Sequence, residues 1–365
     1  MSSICEQASG VDEKHFWRVM SARIAGQRVP FSGSLALTHR CNLGCVHCYA
    51  REKPGEDAAQ SELSTGQWLK IIADIKEAGC LFLLLTGGEP LLRDDFPEIY
   101  SFAKSNGFLV TVFTNGTLVS ERIIDLFHDF PPRLVEISLY GASAEIHDRI
   151  TSVHGSFERA LQGIEMLLSA GIQVRLKSVL MTLNHDDFPA IKDLARSLSL
   201  KFRFDAAIFP TLAGDRGPVD LRVPPERAVG QEMADPDKVQ EWREFFSSFR
   251  EYSEGDGLFN CGSGVNTFHV DPQGQLFPCM MVRNVTFPLG SWSFQEGWSR
   301  AFNDFRKNAP ADANMPCRGC KKKLLCGYCP GFFEMENGVD RIPSEYMCAI
   351  GKHRFEKIIS EACGG

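Results

Sequence analysis

The sequence predicts an α/β protein: a partial (β/α)6 TIM-like barrel followed by a small cysteine-rich domain. Two observations carry that prediction. Short β-rich runs alternate with amphipathic helical patterns from residue 34 to 205, and the cysteines gather at the start of that stretch and again after residue 260. Strands alternating with helices imply right-handed βαβ units and a parallel sheet. Six repeats fall short of the eight that close a full barrel, and the active site is then expected at the C-terminal ends of the strands.

The strand candidates are residues 35–38, 81–86, 109–114, 134–138, 173–179 and 202–205. The run at 81–86, LFLLLT, is apolar at nearly every position, as a strand covered on both faces must be. Helical periodicity marks 65–78, 96–106, 120–127, 157–170 and 188–198, with Gly107 and Gly171 as stop signals behind two of them. Residues 209–238 are rich in Pro, Gly and Asp and read as a connection rather than a core element. Residues 242–252 look helical. From 259 onward short β pieces alternate with cysteine-bearing loops, and 269–278 (HVDPQGQLFP) reads as a hairpin turning at Pro272-Gln273-Gly274. The expected division is an N-terminal extension (1–33), a barrel core (34–206), a connection with a helix (207–258) and an auxiliary domain (259–365).

Composition removes several function classes. A net charge of −7 argues against a general nucleic-acid binder. No run approaches the ~18 apolar residues of a membrane span. Residues 1–10 are polar and carry no secretory pattern, so the cytosol is the expected compartment, and thiols there are seldom paired in disulfides. The thirteen cysteines, clustered as they are, read instead as metal ligands. Lys321-Lys322-Lys323 reads as a solvated surface between ligand loops.

The strongest signal is Cys41-Asn42-Leu43-Gly44-Cys45-Val46-His47-Cys48, directly after the first strand candidate. Soft thiolates favour zinc or iron–sulfur sites. A structural zinc site closes with four ligands; three thiolates around a [4Fe–4S] cluster leave one iron open. His47 as a fourth zinc ligand is the competing reading. CxxxCxxC after the first strand of a partial barrel resembles the radical S-adenosylmethionine (radical SAM) superfamily. The resemblance implies a cluster held by Cys41, Cys45 and Cys48 that chelates S-adenosylmethionine and yields a 5′-deoxyadenosyl radical. His47 fills the position that is commonly aromatic.

The neighbouring motifs follow in order. Thr86-Gly87-Gly88-Glu89-Pro90 ends the second strand and resembles the loop that receives the methionine amino group: glycines admit close backbone approach, and a carboxylate pairs with an ammonium. Thr114 and Asn115 end the third strand, where the family places polar contacts. Ser138 and Arg149 resemble ribose- and carboxylate-binding residues. Lys177, Val179 and Leu180 end the fifth strand, where relatives cradle the adenine, with core packing as the alternative for Val179 and Leu180.

The second signal is C-terminal. Cys261 precedes Gly274 and Cys279; then come Cys317-x2-Cys320-x5-Cys326-x2-Cys329, and Cys348. The pattern resembles the SPASM extension of radical enzymes that modify peptides and proteins, with two residues rather than three between Cys326 and Cys329. Two zinc knuckles are the alternative. The resemblance implies interleaved ligand sets: Cys317, Cys320, Cys326 and Cys348 for one auxiliary [4Fe–4S] cluster, and Cys261, Cys279 and Cys329 for another, making three clusters in all. The second set lacks a fourth cysteine. Glu254, Asp256, Cys5 and Cys363 are candidate ligands; an iron left open for a substrate cysteine is the other reading. Cys80 reads as a core residue.

The implied function is hydrogen abstraction from a ribosomally made precursor peptide, leading to its oxidation or crosslinking. The alternatives are a radical enzyme acting on a tetrapyrrole or other small molecule, a sulfatase maturase, and a non-catalytic iron–sulfur or zinc protein, which the intact loop at 87–90 disfavours. Met280, where sulfatase maturases carry an aspartate, weighs against that branch. Only about thirty residues precede the first strand, too few for a leader-binding winged helix, so a separate leader-binding protein or another surface is expected. A flavodoxin or ferredoxin is expected as the electron donor.

Overall fold

The computed structural model describes residues 27–50, 62–248, 258–259, 261–307 and 315–360; Cys5, Glu254, Asp256 and Cys363 lie outside them. All six strand candidates form: β1 (Ser32–Ala36), β2 (Phe82–Thr86), β3 (Leu109–Thr114), β4 (Leu134–Ser138), β5 (Val174–Val179) and β6 (Lys201–Asp205). They pair in parallel in sequence order from β6 to β1. Between them run α1 (Thr65–Glu77), α2 (Phe96–Ser105), α3 (Glu121–Asp129), α4 (Ala144–Thr151), α5 (Ser156–Ser169) and α6 (Phe188–Ser197). The partial parallel barrel is therefore as the alternation predicts. Gly107 and Gly171 sit at φ +87° and +71°, behind α2 and α5, where a side chain would be strained.

The core follows from strand parity. Leu83, Leu85, Val110, Val112, Val135, Ile137, Val174 and Leu176 face the helices and pack on Trp68, Ile72, Phe96, Tyr100, Phe127 and Ile164. The alternate residues of each strand face the barrel interior, which is polar in β4, β5 and β6.

Three features depart from the expectation. First, the sheet does not stop at β1. The predicted hairpin forms as β7 (Thr267–Val270) and β8 (Gln275–Phe277), but β7 also pairs in parallel with β1, and β9 (Phe287–Pro288) extends the sheet to nine strands. Strand β1 starts early, at Ser32, because this partner is there: the ring of Phe268 lies over Gly33, and a Cβ at Gly33 would fall 2.0 Å from it. Second, the connection contains α7 (Pro225–Met233) and the start of α8 (Pro236–Ser248). Val223, Ala228 and Val229 are buried there against Leu180, Phe188, Ile191 and Ile350, so part of it is core. Third, the cysteine-rich region is more helical than its loops suggest, with α9 (Phe294–Lys307), α10 (Pro330–Asn337) and α11 (Glu345–Ser360). Phe294, Trp298 and Phe302 supply the apolar stripe of α9. Among the described residues no helix is long and apolar enough to cross a membrane.

Candidate active site: the cysteine loop and the strand ends

The loop from Cys41 to Cys48 leaves the C-terminal end of β1 and is held by backbone of α4. Gly44 N donates to Thr151 O (2.8 Å) and Val46 N to Ile150 O (3.0 Å). Cys41 is exposed and Cys45 and Cys48 are half-buried. The Cys41 sulfur accepts from Leu43 N (3.4 Å) and from Asn115 Nδ2 (3.9 Å). Although its side chain reaches the surface, the protein packed around Cys41 removes hydration, and this, then Glu89 and Cys48, push the thiol up to about 11. A thiolate at such a place needs a cation to compensate it, which suits a metal-bound cluster.

Thr86-Gly87-Gly88-Glu89-Pro90 lies against this loop. Gly88 N donates to Thr38 O (2.7 Å) and Glu89 N to Arg40 O (2.9 Å). A Cβ at Gly87 would fall 2.4 Å from Thr38 O, and one at Gly88 2.3 Å from Arg40 O. The two glycines thus let two strand ends touch. Glu89 is fully buried, and its carboxylate accepts from Thr114 Oγ1 (2.8 Å), Asn115 N (2.7 Å) and Leu91 N (3.1 Å). Burial pushes it up to about 7. The loop at 87–90, expected to receive a ligand ammonium, lies beside the cysteine loop, and within it the Glu89 carboxylate is already engaged. With no exposed surface it staples β2 to β3 and caps the short 3-10 turn at Pro90–Leu92.

Asn115 carries that staple to the cysteines. Its Nδ2 donates to Asn42 Oδ1 (2.8 Å), and Asn42 Nδ2 donates to Thr117 Oγ1 (2.8 Å). His47 is buried, edge-on to Tyr140 at 4.5 Å, with no partner for Nδ1 among the described residues, and burial lowers it to about 4. Ser138 ends β4 half-buried beside Tyr140. Arg149 Nη2 donates to Leu183 O (2.9 Å), tying α4 to the segment after β5. Lys177 turns into the barrel interior, its Nζ 3.4 Å from the centre of the Phe113 ring. Leu180 has no exposed surface and packs with Phe188 and Ile191; Val179 packs beside Ile150 and Met181. The Leu180 side chain thus has the environment of the core-packing alternative.

The C-terminal thiols fall into two sets. Burial, followed by Cys348, Cys317 and Cys320, pushes Cys326 up to about 12. Cys348 is raised by burial and then by Cys320. Burial, with Cys279 and Cys261 adding, raises Cys329 to about 11, and Cys279 is raised by burial with Cys261 adding. The fields couple four thiols in one place and three in another. Cys329 is also the N-cap of α10, its sulfur accepting from Phe332 N at 3.4 Å. Gathering thiols this way, with Cys317 and Cys326 buried and the others partly or fully exposed, disfavours neighbouring thiolates unless a metal centre neutralises them, and soft thiol donors suit iron–sulfur ligation. None of the described cysteines is in a disulfide, and Cys80 is a buried core residue. Among the described residues no three His, Cys, Asp or Glu side chains converge as a single metal ion requires.

Sequence reasoning missed the network beneath the loop. Glu62 accepts from Thr38 Oγ1 (2.5 Å) and His39 N (3.1 Å) and pairs with Arg40 (3.4 Å) and Arg93 (3.6 Å). Arg93 donates to Leu37 O (2.9 Å), Leu63 O (3.1 Å) and both oxygens of Asp95. No spacing signals it, because its members meet only when β1, α1 and the Pro90 turn assemble. A separate cleft lies between the end of β6, α7 and α11, lined by Asp205, Glu232, Tyr346 and Arg354. Its charges are already committed: Arg354 Nε donates to Glu232 Oε2 (2.7 Å) and Trp242 Nε1 to Glu232 Oε1 (2.8 Å).

Comparison with known proteins agrees with this arrangement. The chain is 28% identical over 313 residues to the AdoMet-dependent heme synthase of Methanosarcina barkeri, spanning 80% of this chain and 89% of that one. It is 26% identical over 348 residues to the antilisterial bacteriocin subtilosin biosynthesis protein AlbA of Bacillus subtilis, spanning 89% and 72%. Its fold matches SuiB of Streptococcus suis bound to S-adenosylmethionine with a TM-score of 0.70 at 14% identity, over 90% of this chain and 80% of that one. Residues 35–198 match the radical SAM superfamily profile, and with the cysteine loop, the Gly-Gly turn and the strand ends in place the chain carries a radical SAM domain.

Proposed function

We propose that this protein is a radical SAM enzyme that abstracts hydrogen from a peptide substrate and directs the product toward oxidation or crosslinking. The observation that carries the reading is the loop from Cys41 to Cys48 held at the strand ends of a domain that matches the radical SAM superfamily, with seven further cysteines from Cys261 to Cys348. When bound, the clusters supply a reductive cleavage of S-adenosylmethionine at one site and an electron acceptor at the others. The chain's own residues do the positioning. Cys41, Cys45 and Cys48 hold the first cluster, with Asn115 fixing Cys41. Gly87 and Gly88 bring the β2 end onto that loop, and Glu89 with Thr114 locks it to β3. Ser138, Arg149 and Lys177 face the region that S-adenosylmethionine and substrate share.

Cys317, Cys320, Cys326 and Cys348 hold one auxiliary cluster. Cys261, Cys279 and Cys329 hold the other, with an iron open to substrate or to a ligand outside the described residues. A separate leader-binding protein and a flavodoxin- or ferredoxin-type donor complete the proposed system. The relation to AlbA, a bacteriocin biosynthesis protein, supports the peptide substrate. A tetrapyrrole substrate is the second reading, favoured by the coverage of the heme synthase relative.

The test begins with anaerobically reconstituted protein. Three clusters predict about 12 iron and 12 sulfide per chain. Reduction in the presence of S-adenosylmethionine should release 5′-deoxyadenosine, and Cys41→Ala should abolish that release. About 4 iron with bound zinc would remove the auxiliary clusters and the oxidative reading with them. Stimulation of 5′-deoxyadenosine release by iron coproporphyrin III, and not by peptides, would favour the tetrapyrrole.

A further inference from the structure

The barrel interior holds more positive charge than its own carboxylates neutralise. On the face turned away from the helices, β4 presents Glu136, β5 presents Arg175 and Lys177, and β6 presents Lys201, Arg203 and Asp205. Register places Glu136 beside Arg175, Arg175 beside Lys201, and Lys177 beside Arg203. The Glu136 side chain is 3% exposed and sits behind the cations. Arg203 Nε donates to its two oxygens at 3.1 and 3.0 Å, and Arg203 Nη2 donates to Oε1. Arg175 Nη1 lies 3.5 Å from Oε2. That one carboxylate is saturated by two guanidinium groups.

Lys177 makes no hydrogen bond or ion pair with it, although the charges of Glu136 and Glu89 reach the ammonium through space. Its ammonium rests on the Phe113 ring at 3.4 Å and has no hydrogen-bond acceptor among the described residues. The Arg203 guanidinium stands 5.7 Å from the same ring. Among the described residues nothing accepts from Arg203 Nη1 either. The Lys177 side chain is half-buried, and an ammonium that has lost part of its hydration gains from an acceptor that faces it directly. The wall is reachable, because β6 is the outermost strand of the sheet and the Arg203 side chain is 47% exposed.

We propose that Lys177 and Arg203, with Arg175 beside them, bind a carboxylate of the substrate: the side chain of an Asp or Glu near the position that reacts. The proposal rests on the peptide reading above and narrows it to acidic peptides. The ring of Phe113 keeps water off one side of the ammonium, and Arg203 Nη1 offers a second donor to the same group.

The experiment uses the whole 365-residue chain, reconstituted and saturated with S-adenosylmethionine, titrated calorimetrically at low ionic strength with hexaglutamate and with hexaglutamine. Hexaglutamate is expected to bind at least tenfold more tightly. K177M breaks no ion pair, and it should weaken hexaglutamate at least tenfold. K70Q, which removes an exposed cation on α1, should not. The triple variant R175Q/E136Q/R203Q removes the carboxylate together with both of its guanidinium partners; it should weaken hexaglutamate as K177M does.

Equal binding of the two peptides, or hexaglutamate binding untouched by both variants, overturns the proposal. A loss of S-adenosylmethionine affinity in K177M with hexaglutamate unaffected also overturns it, and assigns the lysine to the methionine carboxylate. Failure of the peptide reading itself looks different: wild-type protein then binds iron coproporphyrin III and neither peptide.

Discussion

Gly88 shows how little freedom the site allows. An added Cβ would fall 2.3 Å from Arg40 O, and backbone on both sides leaves no flexible group to yield. Gly88→Ala should therefore cost about 1–3 kcal/mol by urea unfolding, and the displaced loop should lose about 4 iron of the reconstituted complement. Full iron with unchanged stability would mean that the loop adapts. The buried histidines give a second residue-scale expectation. His147 Nδ1 accepts from Tyr140 N (3.2 Å), so the neutral ring carries its proton on Nε2. Burial lowers His147 to about 4 from 6.5, and lowers His269 to about 3. The unfolded chain takes up protons below pH 6.5 that the native state refuses, so stability is present above 6.5 and is lost as pH falls toward 4. The slope is at most about 1.4 kcal/mol per pH unit for each ring. Urea midpoints between pH 7 and 5 should fall for the wild type and fall less for His147→Gln; parallel profiles for the two proteins would remove His147 from the account.

At the scale of elements, α4 and α5 act as one clamp on the cysteine loop. Asp148 of α4 caps α5: its carboxylate accepts from Gly155 N (2.6 Å), Ser156 Oγ (2.7 Å) and Phe157 N (2.9 Å). The next residues of α4, Ile150 and Thr151, hold Val46 and Gly44. Asp148→Ala should cost about 1–2 kcal/mol as a lost cap and should also lower iron at the radical site, since the cap and the loop share one turn of helix. Loss of stability with iron retained would separate the two. Elements also differ in how legible they were. The β2 run announces itself because both faces are covered. Helix α9 carried a readable start, Ser293 with Glu296 as a capping box: Ser293 N donates to Glu296 Oε2 at 3.0 Å, and Glu296 N donates to Ser293 Oγ at 3.3 Å. The cysteine spacing around it drew the reading toward loops instead. Helix α7 was hidden by the Pro and Asp of its flanks, which mark its ends rather than exclude it.

At the scale of the molecule, the C-terminal region is joined to the barrel twice, by β7 on β1 and by α11 on α7. The auxiliary thiols are thereby fixed relative to the barrel. The two thiol sets make a clean numerical test. Cys348→Ala and Cys329→Ala should each lower iron by about 4 per chain, and the double variant by about 8. If the double variant loses no more iron than either single one, the two residues share a site and the interleaved grouping is wrong. Cys348→Ala should also leave some 5′-deoxyadenosine release while product formation stops, because the radical site lies on the other element group.

The sequence by itself determined the partial barrel, because buried parallel strands must be apolar runs and covering helices must repeat every three to four residues. It also determined the order of the motifs, because residues that share a loop, such as Cys41, Cys45 and Cys48, declare themselves by spacing. Tertiary structure decided which partners meet across the fold. Glu89 became a buried staple because Thr114 and Asn115 arrive beside it, Leu180 went to the core because α7 covers it, and Lys177 found no hydrogen-bond acceptor among the described residues because Arg175 and Arg203 take up Glu136. Such outcomes depend on desolvation and on contacts between distant segments, and no local pattern encodes either.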